Sequence, residues 1–130
     1  MAGAYARLSG KLGVCIASNG PGVANVLPGI AVENAEGNRV LLITSCRRHQ
    51  IIYPDRGGSY QCFDQVDVMR SISKYSEHVS LSERIVEIFR HAIRKSYQGR
   101  PGVVHVDVPE DFLNGKIDFQ DHDFLEPGAY

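Results

Sequence analysis

The amino-acid sequence predicts an α/β protein, a three-layer arrangement in which helices cover both faces of a parallel β-sheet. Two observations carry this prediction. Short apolar segments alternate along the 130 residues with segments whose apolar residues recur every three or four positions, as in amphipathic helices. The clearest apolar segment, RVLLITS at residues 39–45, is continuous, as in strands that are buried on both faces of a parallel sheet. Strands separated by helices in this way form parallel sheets.

The first predicted strand and helix flank a glycine-rich turn. GVCIAS at residues 13–18 is short, apolar and bounded by turn residues, which predicts a buried strand. A helical pattern runs from Gly22 to about Glu36, and Gly37-Asn38 ends it. Pro28 conflicts with a regular helix, so it either kinks this helix or marks its first turn. The apolar face of the helix consists of Val23, Val26, Leu27, Ile30 and Ala31.

The second half of the chain continues the alternation of helices and strands. Ser80 and Glu83 form a Ser-x-x-Glu capping box, which predicts the start of the longest helix. Gly99 and Pro101 end that helix. After the strand at 39–45 we expect a long polar loop at 46–61 and a short helix at 63–69. An alternating strand at 72–79, the long helix at 81–97 and a last strand at 102–109 follow.

Composition excludes several classes of function. The chain has 14 basic and 15 acidic residues, so its net charge of −1 gives no general attraction to nucleic acid or to an anionic membrane. No apolar run approaches the roughly 18 residues of a membrane span. The first residues, MAGAYARLSGK, lack the apolar stretch of a signal peptide. We therefore expect a cytoplasmic protein with neither a nucleic-acid nor a membrane partner.

The cysteines and histidines do not indicate a metal site. Cys15, Cys46 and Cys62 are widely spaced and odd in number, and we interpret them as reduced thiols. The five histidines show no metal-ligand spacing either. No metal-ligating residue is predicted.

Ligands of parallel α/β sheets bind at the carboxyl ends of the strands. That rule selects residues 18–25, residues 45–61 and the turn after Val108. In the first segment, Gly20-Pro21-Gly22 lets the backbone approach a ligand, and the helix that follows offers free N–H groups. Asn25 lies one turn into that helix, where its amide can both donate and accept. The spacing alone also fits a tight turn that holds no ligand.

Several motifs together resemble one family. MAGAYARLSGKLGVCIASNGPGVANVL is similar to the N-terminal, pyrimidine-binding domain of thiamine diphosphate-dependent enzymes, in particular the acetolactate synthase-like group, and so are QCFDQVD and GRPGVVHVDVPEDF. The resemblance covers residues 1–113, which we expect to be a partial pyrimidine-binding domain. Residues 114–130 are then an acidic linker or a C-terminal extension.

The resemblance implies a role for this domain and for some of its residues. In that family the domain holds the aminopyrimidine ring, and the cofactor carries the chemistry on 2-oxo acids. Gly20, Pro21, Gly22 and Asn25 would then contact the cofactor. The family's Phe-Gln pair falls on Phe63-Asp64, where this chain has an aspartate, so Gln65 is the remaining candidate for the contact that the family glutamine makes.

The resemblance also implies what this chain does not carry. The family's catalytic glutamate and the first strand-helix unit precede the segment that begins at Met1, and the Gly-Asp-Gly…Asn motif for Mg²⁺ and diphosphate does not occur in the sequence. We expect condensation or decarboxylation of 2-oxo acids only when other segments complete the site. The expected partner is a second copy of the chain, or a complementing chain with the diphosphate-binding domain.

Other charged residues fit structural positions. Glu33 and Glu36 lie late in the first helix and read as a solvated face. Asp107 and Glu110 flank a strand end, but neither is predicted to be catalytic. The Arg47-Arg48-His49 cluster fits an anion site for a carboxylate or a coenzyme A substrate, but we favour a solvated loop or a subunit contact.

Two functions outside the family's catalysis stay open. The chain could be a non-catalytic module that associates with other proteins through an exposed apolar face. It could also be an unrelated nucleotide-binding domain, but such domains place an acidic residue after the second strand, where this chain has Ser45-Cys46-Arg47-Arg48. The two arginines would instead suit a phosphorylated ribose.

Overall fold

The computed structural model describes residues 1–52 and 61–120. They form an α/β fold around a four-stranded sheet in which every neighbouring pair is parallel, in the order β1-β2-β4-β3. The predicted class is therefore confirmed. The strands are β1 (Gly13–Ala17), β2 (Val40–Cys46), β3 (Tyr75–His78) and β4 (Val104–Pro109).

Helices cover both faces of the sheet. On one face lie α1 (Ala2–Ser9), α2 (Pro21–Ala35) and α4 (Gln65–Ile72), and on the other lie α5 (Ile85–Tyr97) and the short α6 (Glu110–Leu113). The helix α3 (His49–Ile52) follows β2. Two apolar cores result because successive residues of a strand point to opposite faces. Leu42 and Met69 belong to the first core, and Leu41 and Ile88 to the second.

The predicted first helix begins one residue earlier than expected and ends at Ala35. Pro28 lies in the interior of this helix, so the alternative that it marks the first turn is wrong. The helix α1 is an element that apolar periodicity does not predict, because the segment AGAYARLS has few large apolar residues. Its buried residues, Gly3 and Ala6, are small.

Two local predictions are wrong. The polar loop at 46–61 contains α3, since His49–Ile52 completes one helical turn after β2. Pro54, Arg56 and Gly57-Gly58 of that loop lie outside the described residues. The capping box of Ser80 and Glu83 does not form, because a 3₁₀ turn at Ser82–Arg84 precedes α5, and neither start has a side-chain cap. Glu83 therefore lies within the turn and not at the third position of the helix.

The strand β1 pairs with β2. Its alternate residues Val14 and Ile16 are 53% and 75% exposed, so one face of this strand is apolar and open. No helix among residues 1–52 and 61–120 is both long enough and apolar enough to cross a membrane.

Candidate functional site

The Gly20-Pro21-Gly22 loop joins the carboxyl end of β1 to α2. Gly20 has φ 63°, and a Cβ there would lie 2.6 Å from Cα of Gln61, so both the backbone conformation and the packing require glycine. Pro21 opens the helix, where no backbone N–H is needed. The helix has no side-chain cap and no acidic residue in its first turn. At Gly22, a Cβ would approach Oγ of Ser18 to 2.7 Å.

Gln65 holds this loop against the sheet. The backbone N–H of Gly20 donates to Oε1 of Gln65 over 3.0 Å. Nε2 of Gln65 donates to the carbonyl of Ser45 over 3.0 Å and to Oδ1 of Asp107 over 2.9 Å. The residue is only 3% exposed. Its amide therefore connects the loop after β1, the end of β2 and the side chain of a residue in β4.

Asp107 is the centre of a buried polar chain on the same face of the sheet. Oγ1 of Thr44 donates to Oδ1 of Asp107 over 2.5 Å and lies 2.7 Å from Nε2 of His105. Because the hydroxyl has a single proton, the imidazole must donate to it through Nε2. On the other side of the ring, Oγ of Ser76 lies 2.7 Å from Nδ1 of His105 and 3.1 Å from the carbonyl of Val66, and its single proton can serve only one of these two acceptors. The Thr44 hydroxyl thus links the imidazole of His105 to the carboxylate of Asp107.

Burial controls the ionisation of two groups beside this chain. It lowers the pKa of His105 to about 4, against an opposing effect from Asp107, so the imidazole is neutral near pH 7. Burial, reinforced by the charge of Asp107, raises the pKa of the Cys46 thiol well above its usual range. Cys46 is consequently not an activated nucleophile in this environment.

A cavity of about 340 Å³ lies at the carboxyl edge of β2 and β4. Its wall includes Gln65 and Asp107, together with Cys46, Cys62 and His78. Sequence reasoning assigned no joint role to Cys46, His78 and Asp107, because they belong to three strands that are distant in the chain. The parallel register brings them together, with His78 paired directly to Asp107.

Asp64 and Phe63 have structural explanations. Oδ1 of Asp64 accepts from the backbone N–H of Asp67 over 3.0 Å, so this aspartate is the N-cap of α4. Phe63 lies on the cavity wall beside it. The aspartate that interrupts the expected Phe-Gln pair thus begins the helix that carries Gln65.

The other candidate charges form local pairs. Arg47 lies 3.4 Å from the carboxylate of Glu110, which favours the structural reading of this arginine over an anion site. Arg48 is exposed. Glu33 accepts from Nδ2 of Asn38 over 2.6 Å, and Glu36 pairs with Arg7.

Asn25 lies apart from the Gln65 cavity. It is exposed on α2 and borders a separate hollow of about 190 Å³, together with Cys15 and Glu33. The structure thus brings Gly20 and Gln65 into direct contact, whereas Asn25 faces solvent one helical turn further on.

Comparison with known proteins identifies the family. Residues 1–68 match the family described as "Thiamine pyrophosphate enzyme, N-terminal TPP binding domain". The chain belongs to this family. Thiamine pyrophosphate is another name for thiamine diphosphate, so the resemblance recognised from the motifs is confirmed.

Curated relatives of this thiamine pyrophosphate enzyme domain extend the match over most of the chain. A probable acetolactate synthase large subunit of Methanocaldococcus jannaschii is 35% identical over 89% of the chain. Human 2-hydroxyacyl-CoA lyase 1 is 34% identical over 96% of it, and the chloroplastic acetolactate synthase of Arabidopsis thaliana is 39% identical over 82%. The matches cover 19%, 21% and 16% of these three proteins, so the chain spans about a fifth of their length.

Proposed function

We propose that this chain supplies the part of a thiamine diphosphate site that receives the aminopyrimidine ring, in an enzyme resembling acetolactate synthase that acts on 2-oxo acids. The observation that carries the proposal is the Gly20-Pro21-Gly22 loop, which presents an uncapped helix start and is fixed by Gln65. When bound, thiamine diphosphate supplies the carbanion chemistry for making or breaking a C–C bond.

The residues around the loop fit a flat heteroaromatic ring. The absence of a side chain at Gly20 lets the loop pack closely against Gln61, and Pro21 offers an exposed apolar surface to the ring. The free N–H groups at the start of α2 can donate to ring nitrogens. Asn25 is exposed, so its amide is available both to donate and to accept.

Gln65 acts on this site through the loop. It is buried, and both ends of its amide are occupied by Gly20, Ser45 and Asp107. We therefore assign it as a positioning residue, which sets the loop in place before the ring arrives. Such preorganisation removes an ordering cost from binding.

The diphosphate and Mg²⁺ belong to a complementing part in this proposal. The sequence carries no Gly-Asp-Gly…Asn motif, and the curated relatives are about five times as long as the matched segment. The complement is a diphosphate-binding domain, present on the same polypeptide, on a second copy or on another chain. Condensation or decarboxylation of 2-oxo acids requires that complement.

A second candidate function, a non-catalytic association module, is favoured by one observation. Val14 and Ile16 expose apolar side chains on the open face of β1. Beside them runs an apolar groove of about 500 Å³, whose wall includes Ile43 and Phe89. Exposed apolar patches of this kind mark protein contacts.

Binding of the ring alone tests the first proposal. We would titrate the uniformly ¹⁵N-labelled chain with thiamine, which carries the aminopyrimidine ring without the diphosphate, and follow the amide resonances. The expected result is a saturable shift of the Gly20, Gly22 and Asn25 amides, with weak affinity because only the ring end of the cofactor is engaged. Asn25→Ala should weaken binding by several-fold.

The matched control is Gln98→Ala. This residue also has an exposed amide, but it follows α5 at the amino-terminal edge of the sheet. Thiamine affinity should not change in this variant. Shifts confined to residues outside the loop, or equal affinity in Asn25→Ala and the wild type, would contradict the proposal.

A further inference from the structure

We propose that Cys46, His78 and Asp107 form a binding site for one divalent transition-metal ion of the zinc class. It is a different site from that of the Mg²⁺ that accompanies thiamine diphosphate, which the proposed function places on a complementing part. One ligand atom from each of the three residues lies within 4.8 Å of the other two. A thiolate, an imidazole and a carboxylate are the ligand types that zinc takes in proteins.

The three side chains converge because their strands are neighbours. In the parallel register, β4 lies between β2 and β3, and His78 is directly opposite Asp107. Cys46 is two residues beyond Thr44, the partner of Asp107 in β2. Residues two apart in a strand share a face, so all three point to the same side of the sheet near its carboxyl edge.

The distances suit a tetrahedral ion. With ordinary bond lengths, a tetrahedral zinc holds a sulfur and a nitrogen about 3.6 Å apart, and a nitrogen and an oxygen about 3.4 Å apart. Sγ of Cys46 lies 3.8 Å from Nδ1 of His78, and that nitrogen lies 3.5 Å from Oδ2 of Asp107. The separation between Sγ of Cys46 and the carboxylate oxygen of Asp107 is at most 4.8 Å, against about 3.6 Å around a tetrahedral zinc.

The geometry favours a metal over a catalytic Cys-His-Asp relay. In such a relay the nucleophile contacts one ring nitrogen and the carboxylate orients the ring through the other. Here both the thiol and the carboxylate approach Nδ1 of His78. Three donor groups that gather around a single point define a coordination position and not a proton path.

The surroundings of Asp107 also suit a metal ligand. Its Oδ1 accepts from Thr44 and Gln65, which fixes the carboxylate and directs Oδ2 toward His78. Hydrogen bonds of this kind orient metal ligands and raise affinity. The cavity of about 340 Å³ borders all three residues, so an ion can enter and a water can take the fourth position.

Cobalt binding tests the site directly. We would titrate the reduced, metal-free full chain with Co²⁺ in the absence of thiamine compounds and record its absorption. The expected result is one equivalent bound, with strong tetrahedral ligand-field bands and a sulfur-to-cobalt charge-transfer band, both removed by Zn²⁺. Cys46→Ser should abolish the charge-transfer band and weaken Zn²⁺ binding by about 100-fold or more. Loss of a residue that only hydrogen-bonds to a ligand already lowers metal affinity by about 10- to 100-fold, and loss of a ligand should cost at least as much.

Two further variants complete the test. Cys15→Ser, the matched control, changes a cysteine that lies in β1 beside a different hollow and should leave both spectra and affinity unchanged. His78→Gln should also lose the metal, and it keeps the test decisive if Cys46→Ser does not fold. His91→Gln, on the exposed side of α5, is its control and should bind the metal as the wild type does. Absence of stoichiometric binding, or wild-type affinity in folded Cys46→Ser or His78→Gln, would overturn the proposal. Neither outcome affects the thiamine experiment, which contains no transition metal.

Discussion

Gln65 illustrates how one side chain can couple three segments of a fold. An amide has a donor end and an acceptor end, and here the acceptor faces Gly20 while the donors face Ser45 and Asp107. A glutamate at this position would lose both donors and place a second carboxylate against Asp107. A leucine would leave the Gly20 N–H and the Asp107 carboxylate without this partner, and a buried group left unsatisfied costs about 1–3 kcal/mol.

The buried imidazole of His105 makes stability depend on pH. Its pKa in the folded protein, about 4, is below the unfolded value of 6.5, so the unfolded state binds the proton more readily. This contribution to stability is fully present above about pH 6.5 and decreases as the pH falls toward 4. We expect His105 alone to remove about 3 kcal/mol from the free energy of unfolding over that interval.

Chemical denaturation at a series of pH values measures this effect. His105→Gln retains a donor near Nε2 but cannot take up a proton, so its loss of stability between pH 6.5 and 4 should be smaller than that of the wild type. His91→Gln, at an exposed position of α5, should keep the wild-type pH profile. Parallel profiles for wild type and His105→Gln would show that the imidazole is not the group responsible.

Among the helices, α2 contains a proline in its interior and nevertheless continues past it. The helix runs from Pro21 to Ala35, although Pro28 cannot donate to the carbonyl of Ala24. Packing of the helix on the sheet outweighs this local cost, since Val23 and Ile30 are buried in the first core. Its apolar contacts thus determine the helix despite an unfavourable local sequence.

Pro28→Ala should therefore stabilise the protein. The substitution restores one backbone hydrogen bond at an exposed position, and we expect the free energy of unfolding to rise by about 1–2 kcal/mol. Pro21→Ala is the matched control, because a proline at the first helical position loses no bond and its change should be under about 1 kcal/mol. Thermal or urea unfolding gives both values, and a loss of stability in Pro28→Ala would contradict this reading.

At the scale of the whole molecule, the two faces of the sheet are covered unequally. Val14 and Ile16 remain open on β1, and the apolar groove beside them continues between the sheet and α5. Burying apolar surface contributes about 25 cal/mol per Å². An exposed strand face of this kind therefore favours association, either with a second copy or with a complementing domain.

Replacing both residues by threonine tests this expectation. Val14→Thr with Ile16→Thr keeps β-branched side chains, so β1 should still form, but self-association measured by sedimentation velocity should decrease. Leu8→Thr, which changes an 87% exposed leucine on α1, should leave association unchanged. A wild-type chain that stays monomeric at all concentrations would rule out the contact between copies.

The class of the fold, the glycine-proline-glycine loop and the family can all be recognised from the amino-acid sequence. These depend on local patterns: the continuous apolar strand at 39–45, helical spacing, and motifs such as NGPGVAN that are read directly from the chain. Most element boundaries agreed with the structure to within three residues for the same reason. From the sequence, Asp64 could be recognised only as a departure from the family pattern, whereas the structure shows that it is the N-cap of α4.

Contacts between side chains that are distant in the sequence depend on the tertiary structure. Thr44, His105 and Asp107 form one polar chain, and Cys46 and His78 join it, because parallel strands separated by whole helices align their residues in register. Strand register depends on packing of the entire sheet, and no short segment encodes it. Asp107 is an example: from the sequence it is only a residue near a strand end. In the structure its buried carboxylate accepts a hydrogen bond from Gln65 and belongs to the candidate metal site.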